Sequence, residues 1–386
     1  MGMGDSSPAI VGLDPFDALL GSRTPAFVRR HARLRQVAVQ ARKRLPFDIS
    51  GVLGIQSFAM SKTVGAYLAA AARVGDKACL HTLVHTLGST RGALGEGRYG
   101  YEFDVQTRWA FYPAGSPNLI ATVFVARGLG AAGIVMENGT LGGEMAASAR
   151  FLREDLHSVA GSPYFMYTLT SGRLIHNANL LGAGLVAMDA ALRGDSHSLE
   201  LASASAMSTV RAQRDNGSWA YGEGSSLGWS DNFHTAYNLD GLLQVWLASG
   251  NPEVRVSLDR GVEHWMRDFF GPEGQPRYYP GKPYPYDIHS AGTAVDVAAR
   301  LATWGWDTGA LAERVADWAA RNLIDPVTGV TYYQRHRFWT DKRHFVRWGD
   351  AHWALGTSSL RLLRESRHDP LEACVAAASG TVPDAS

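Results

Sequence analysis

Residues 231–247 read Asp-Asn-Phe-His-Thr-Ala-Tyr-Asn-Leu-Asp-Gly-Leu-Leu-Gln-Val-Trp-Leu. Hydrogen-bond acceptors open the run, and apolar or small residues dominate it from Phe233 onward. A helix with little charge on any face belongs inside a protein, packed closely on its neighbours. Five other segments have the same character: 62–73, 117–129, 175–191, 289–304 and 351–363. A polar residue marks the start of each, at Lys62, Asn118, Asn177, Asn232, Asp287 and Asp350. The intervals are 56, 59, 55, 55 and 63 residues. A period of this size is the mark of a helical repeat.

Between these segments lie helices with a charged face, over 24–44, 77–87, 143–157, 198–214, 254–270 and 309–323. They suit a solvated outer layer. Six outer–inner hairpins predict an all-α fold, a closed (α/α)6 toroid, rather than an open superhelix. The expected domain spans residues 1–370, with a flexible tail over 371–386. Closure gathers all six inner N-termini at one end of the ring, with their unpaired N–H groups and positive dipole ends.

An N-cap needs one acceptor, which accounts for Asn118 and Asn177. It does not require the histidine that follows in Asp231-Asn-Phe-His234, Asp287-Ile-His289 and Asp350-Ala-His352. These three pairs, with Glu223, are the candidate catalytic groups, because acid–base chemistry uses carboxylates and imidazoles held together. The alternative for each is an ordinary cap or a packed wall residue.

The loops entering the inner helices are loaded with aromatics. They include Tyr99–Tyr112, Trp219–Trp229, Tyr278–Tyr286 and Tyr332–Trp348, and ten of the eleven tryptophans stand at or beyond Trp219. Plain connections favour Gly, Asn, Ser and Pro instead. Aromatic faces interleaved with charge suit stacking on sugar rings or on a cation. Tyr101, Glu102, Asp104, Trp219, Tyr221, Tyr237, Tyr286 and Trp348 are therefore candidate binding residues, together with Asn118 and Asn177. Arg108, Arg335, Arg337 and Arg347 add planar donor forks that match carboxylates and phosphates. The combination predicts an anionic, sugar-like small molecule or oligosaccharide.

Composition excludes several other classes. A formal net charge of +1 leaves no basic excess for nucleic acid. Residues 1–20 lack the pattern of a signal peptide, and no apolar run reads as long enough to span a bilayer. Cys79 and Cys374 stand far apart in apolar helical settings, as expected of reduced thiols in a cytoplasmic protein. Phosphate-binding loop, dinucleotide fingerprint and zinc motifs are all absent, so neither metal nor cofactor is expected.

Two resemblances add to this reading. Gln213-Arg-Asp-Asn-Gly-Ser-Trp219 is similar to the Gln-x-x-x-Gly-x-Trp motif of the squalene–hopene cyclase and prenyltransferase toroids. The Asp-x-Asp-Asp acid of those cyclases is missing here. More broadly, Asp14-Pro-Phe-Asp17, Lys43-Arg-Leu-Pro-Phe47, Tyr101–Arg108, Pro113–Asn118, Gly217–Glu223 and Arg347-Trp-Gly349 resemble the toroid proteins of bacterial capsule and exopolysaccharide gene clusters. That resemblance implies a cytoplasmic toroid in glycan or secondary-metabolite biosynthesis. It carries no catalytic residues with it. Proton abstraction beside a carboxylate, by epimerisation or elimination, is the expected reaction, with two-carboxylate hydrolysis close behind. Polyene cyclisation and non-catalytic glycan binding are the rivals.

Overall fold

The computed structural model describes residues 10–159 and 161–381. In chain order the helices are α1 (Ala26–Arg30), α2 (Ala32–Arg44), α3 (Ser50–Leu53), α4 (Ser61–Val74), α5 (Lys77–Gly88), α6 (Leu119–Met136), α7 (Gly139–Asp155) and α8 (His176–Arg193). There follow α9 (Ser196–Arg211), α10 (Asn232–Ser249), α11 (Pro252–Asp268), α12 (Ile288–Thr303), α13 (Gly309–Asn322), α14 (Asp350–Arg364) and α15 (Pro370–Ser379).

Helices α4, α6, α8, α10, α12 and α14 form the inner ring, which closes where α14 packs on α4. Helices α5, α7, α9, α11 and α13 back it from outside. Among the described residues, β-structure is confined to short antiparallel ribbons in the loops. The largest is a four-stranded sheet in the order Thr340–Asp341, Gln334–Arg335, Lys282–Asp287 and Arg277–Tyr279.

Small residues set the spacing of the inner helices. A Cβ on Gly292 of α12 would lie 2.5 Å from the backbone of His352 on α14, and one on Gly128 of α6 would lie 2.3 Å from the Gly65 carbonyl on α4. Gly292→Ala must push α12 off α14. The expected cost is about 1–3 kcal/mol, the usual range for overpacking, read from urea unfolding of the variant against the parent.

The structure departs from the sequence expectations in three places. Residues 24–44 do not form a sixth outer helix. In α2 only Val39 and Arg42 are buried, too narrow a stripe to back an inner helix. This helix lies at the mouth, where Gln40, Lys43 and Arg44 line the cavity described below. Secondly, most of the expected flexible tail is helix α15, while residues 382–386 fall outside the described residues. Asp369 caps α15 through the N–H groups of Leu371 and Glu372. The helix seals the far end of the ring against α6, α8 and α10. Thirdly, α6 has 18 residues and a mean hydropathy of 1.9, long and apolar enough to cross a membrane, but 72% of it is buried within the ring.

Buried charge locks that far end. Arg300 of α12 reaches Asp240 of α10 at 2.6 Å and Glu372 of α15, which also accepts from Trp304 and Gln244. Arg73 of α4 bridges Asp296 at 2.8 Å and Asp369 at 2.7 Å.

Candidate active site

At the other end the inner helices begin, and five of the six starts are held by a side-chain acceptor on or near the first turn. Asn118, Asp231 and Asp287 are N-caps for α6, α10 and α12. Glu102 reaches in from a loop to accept the Ser61 N–H of α4 at 2.6 Å. Asp350 accepts from Thr331 at 2.6 Å and pairs with His344. Anchored in this way, the starts surround a cavity of about 660 Å³ roofed by the aromatic loops.

One imidazole on this cavity is held by a carboxylate. Asp231 takes the backbone N–H of His234 at 3.0 Å, as a cap does. It also lies 2.8 Å from Nδ1 of the same residue. The carboxylate accepts the Nδ1 proton, which leaves Nε2 as the basic nitrogen. Asp231 is buried while the His234 side chain is 21% exposed, so the pair opens toward the cavity.

Deeper in, the Tyr237 hydroxyl and His289 Nε2 are 2.9 Å apart. His289 packs at a tilt against His352, with ring centroids 3.7 Å apart, and against Trp348, at 4.3 Å. Burial, reinforced by neighbouring cations, holds both imidazoles well below their ordinary range and therefore neutral. Burial also raises the Tyr237 hydroxyl well above its usual value, so it stays protonated. Asp287, fully buried, accepts from Gln334 at 2.7 Å and from the Trp348 indole at 3.0 Å. Its burial raises it to about 6.

The walls are aromatic and cationic. Trp109, Trp229 and Tyr221 stack in sequence, with centroids 4.6 and 4.3 Å apart, and Tyr221 meets His234 edge-on at 4.8 Å. Tyr112 stacks on Tyr167 at 4.7 Å, and Tyr167 shares a 3.0 Å hydrogen bond with Tyr101. Six cations line the space: Lys43, Arg44, Lys62, Arg108, Arg173 and Arg347. Among the described residues, only Asp14 and Asp231 oppose them along the lining. Arg347 is paired with buried Asp17 at 2.5 Å, although its Nε and Nη1 have no partner. Lys62 rests over the Phe124 ring at 4.7 Å, and burial lowers it to about 8. Asn177 Oδ1, Trp229 Nε1 and His289 Nδ1 are likewise buried without partners. Buried polar atoms are normally satisfied, so these atoms depart from the usual pairing.

The cavity thus gathers Tyr101, Arg108, Asn177, Tyr221, Asp231, His234, Tyr237, His289, Arg347 and Trp348. Other expected residues lie elsewhere. Glu102 and Asn118 are caps, and Asp104 accepts the Ala114 N–H at 2.9 Å. Trp219 is a wall residue: its indole donates to the Thr209 carbonyl, and Gln213 of the same motif donates to Ser257 of α11, clamping two outer helices together. Tyr286 packs on Trp318, and Arg335 and Arg337 are exposed on the 334–341 ribbon. Glu223 is exposed outside the lining. Asp287 lies beneath Trp348, Asp350 is held by Thr331 and His344, and His352 faces a second, lower cavity of about 40 Å³. Lys43, Lys62, Trp109, Tyr112, Tyr167 and Trp229 line the cavity but were not among the candidates. Lys62 had a signal, as the one cation at the start of a run of small and apolar residues with no acid nearby in sequence.

The chain superposes on an unsaturated glucuronyl hydrolase specific for heparin with a TM-score of 0.60, at 10% identity over 81% of this chain and 89% of that one. A cellobiose 2-epimerase from Bacillus thermoamylovorans gives 0.60 at 11% identity, over 79% and 86%. A D-mannose isomerase gives 0.59 at 11%, over 78% and 86%. The fold is an α/α toroid. No protein-family model matches the sequence, and no curated protein does. At such identities the likeness is one of architecture, and the toroid's chemistry has to be argued from its own side chains.

Proposed function

We propose that this toroid is an acid–base enzyme acting on an anionic sugar-like substrate, abstracting a proton beside its carbonyl or carboxylate group. The observation that carries the reading is the Asp231–His234 dyad, open to a cation-lined cavity beside the Trp109–Trp229–Tyr221 stack. Stacked rings offer a face for a sugar. His234 Nε2 takes the proton, and Asp231 stabilises the imidazolium that forms. Lys62 and Lys43 stabilise the developing enolate. For epimerisation Tyr237 gives its own hydroxyl proton to the opposite face of the carbon, and exchange with solvent then reprotonates Tyr237 and discharges His234; departure of a β-substituent, taking a proton as it leaves, instead gives elimination. The glucuronyl hydrolase among the similar folds acts on an anionic sugar, and the cellobiose epimerase on a neutral one. A place in bacterial capsule or exopolysaccharide synthesis, and a cytoplasmic setting, belong to the same proposal. The two free thiols, Cys79 and Cys374, suit that setting.

Hydrolysis by paired carboxylates is less well supported. It needs two carboxyl groups flanking the bond, and of the two on the lining Asp231 is engaged by His234. Cyclisation of a polyene is also disfavoured, since Lys43, Lys62 and Arg108 would repel a carbocation.

Calorimetry with uronate-containing and matched neutral oligosaccharides tests the substrate class. Selective binding of the uronates, weakened by Lys62→Met, is the expected result, and equal affinity for the neutral set contradicts it. The affinity has a predictable pH dependence. Lys62 is protonated below its free-state value of about 8 and loses its charge above it. Anion affinity should therefore fall as the pH rises through that region, and Lys62→Met should flatten the decline.

A further inference from the structure

Helix α2 turns apolar residues outward. Residues three or four apart share a helix face, and the exposed positions are Ala32, Arg33, Leu34, Val37, Ala41 and Arg44. Val37 is 64% exposed, and Phe27 on the preceding helix 59%. Charge on this segment is one-sided. From Arg23 to Arg44 there are eight Lys or Arg residues and no Asp or Glu, in a chain whose net charge is +1.

Two aromatic loop tips flank the helix. Arg35 donates to Gln106 and Gln36 to the Arg108 carbonyl, which holds the 107–110 loop and its exposed Trp109 beside the middle of α2. Arg343 donates to the carbonyls of Arg42 and Lys43, which ties the 334–341 ribbon to the end of α2. The tip of that ribbon carries Arg337, Phe338 and Trp339, all exposed, Phe338 to 86%.

We propose that this face, at the mouth of the ring, docks on an anionic lipid surface. A basic helix with an outward apolar stripe lies in a bilayer interface, where cations meet acidic headgroups and Leu, Val and Phe enter the acyl boundary. Exposed aromatic tips beside cations serve the same end. A soluble polyanion would engage the arginines but leave Phe27, Leu34, Val37 and Phe338 in water. A second copy of the chain would bring one set of arginines against another. The inference is independent of the chemistry assigned to the cavity.

Flotation of the full chain with vesicles tests it. Recovery is expected with phosphatidylcholine containing phosphatidylglycerol, but not with phosphatidylcholine alone, and high salt should release the protein. Arg30→Glu/Arg33→Glu should lower the partition about tenfold or more, since each cation near an anionic surface adds to binding. Val37→Ser/Phe338→Ser should weaken it at low salt, with melting unchanged because both side chains are exposed. The proposal is overturned by failure to float with anionic vesicles, or by recovery that neither variant alters. Binding to heparin or DNA without vesicle binding overturns it too, as does a dimer in light scattering that Val37→Ser abolishes.

Discussion

Asp231→Asn is expected to lower turnover by about 10²–10⁴-fold, the range associated with losing a positioned general base. The substitution is chosen because asparagine is as good an N-cap as aspartate, so the start of α10 survives. What disappears is the carboxylate that accepts the Nδ1 proton of His234 and stabilises the imidazolium. Affinity for an unreactive uronate should change little, so the loss falls on kcat rather than KM. His234→Asn should produce a comparable fall. If Asp231 only caps the helix, turnover stays near the parent value; if it only holds the fold, melting temperature drops with it. Kinetics on both variants, with thermal melts alongside, separate these cases.

Arg300→Met is expected to have the largest effect on stability, costing about 3–5 kcal/mol, as when one partner of a buried ion pair is removed. The guanidinium is almost wholly buried and serves Asp240, Asp296 and Glu372 on three helices; its loss leaves buried Glu372 without a cation, Asp240 with Arg127 alone and Asp296 with Arg73 alone. Burial opposes the charge on Asp240, yet Arg127 and Arg300 together hold its carboxyl far below the usual carboxylate range. That depression makes the sign of the pH effect clear. A carboxylate whose folded value is lowered adds stability that is present above its unfolded value near 4, and this is lost as the pH falls toward the folded value. Arg300→Met should therefore unfold at lower urea concentration, with less loss on acidification than the parent. Equal midpoints at neutral pH would mean the network contributes nothing net.

The inner ring was legible because its physics is local. A buried helix needs small residues with little charge, so six such runs at near-constant intervals could be read directly; Asn118, Asp231 and Asp287 cap three of them, while Asn177, expected as a cap, lies inside α8, whose N-cap is Ile175. The contact between Asp231 and His234 was legible for the same reason, since cap and imidazole sit on one turn. Residues whose roles depend on distant partners could not be read in this way. Helix α2 has the charged pattern of an outer helix, but its place is set by contacts from Arg42 to the Asp14 carbonyl and from Arg343 to its own end. Arg335 and Arg337 shared a loop with Arg347, yet a β-ribbon turns the first two outward. Helix α15 is short and Ala-rich, with little intrinsic stability, and it forms because Arg73 and Arg300 await its Asp369 and Glu372. Trp219, read as a sugar platform, stands in a motif that clamps the outer helices.

The central claim is that a proton leaves carbon in this cavity. Incubating the enzyme with uronate-containing oligosaccharides in deuterated water, and reading the sugars by nuclear magnetic resonance, tests it most directly. The predicted result is deuterium at the carbon beside the carboxylate, or an unsaturated product, in the parent protein but not in Asp231→Asn. New reducing ends without deuterium at carbon, or sugars that are bound but unchanged, would contradict the account.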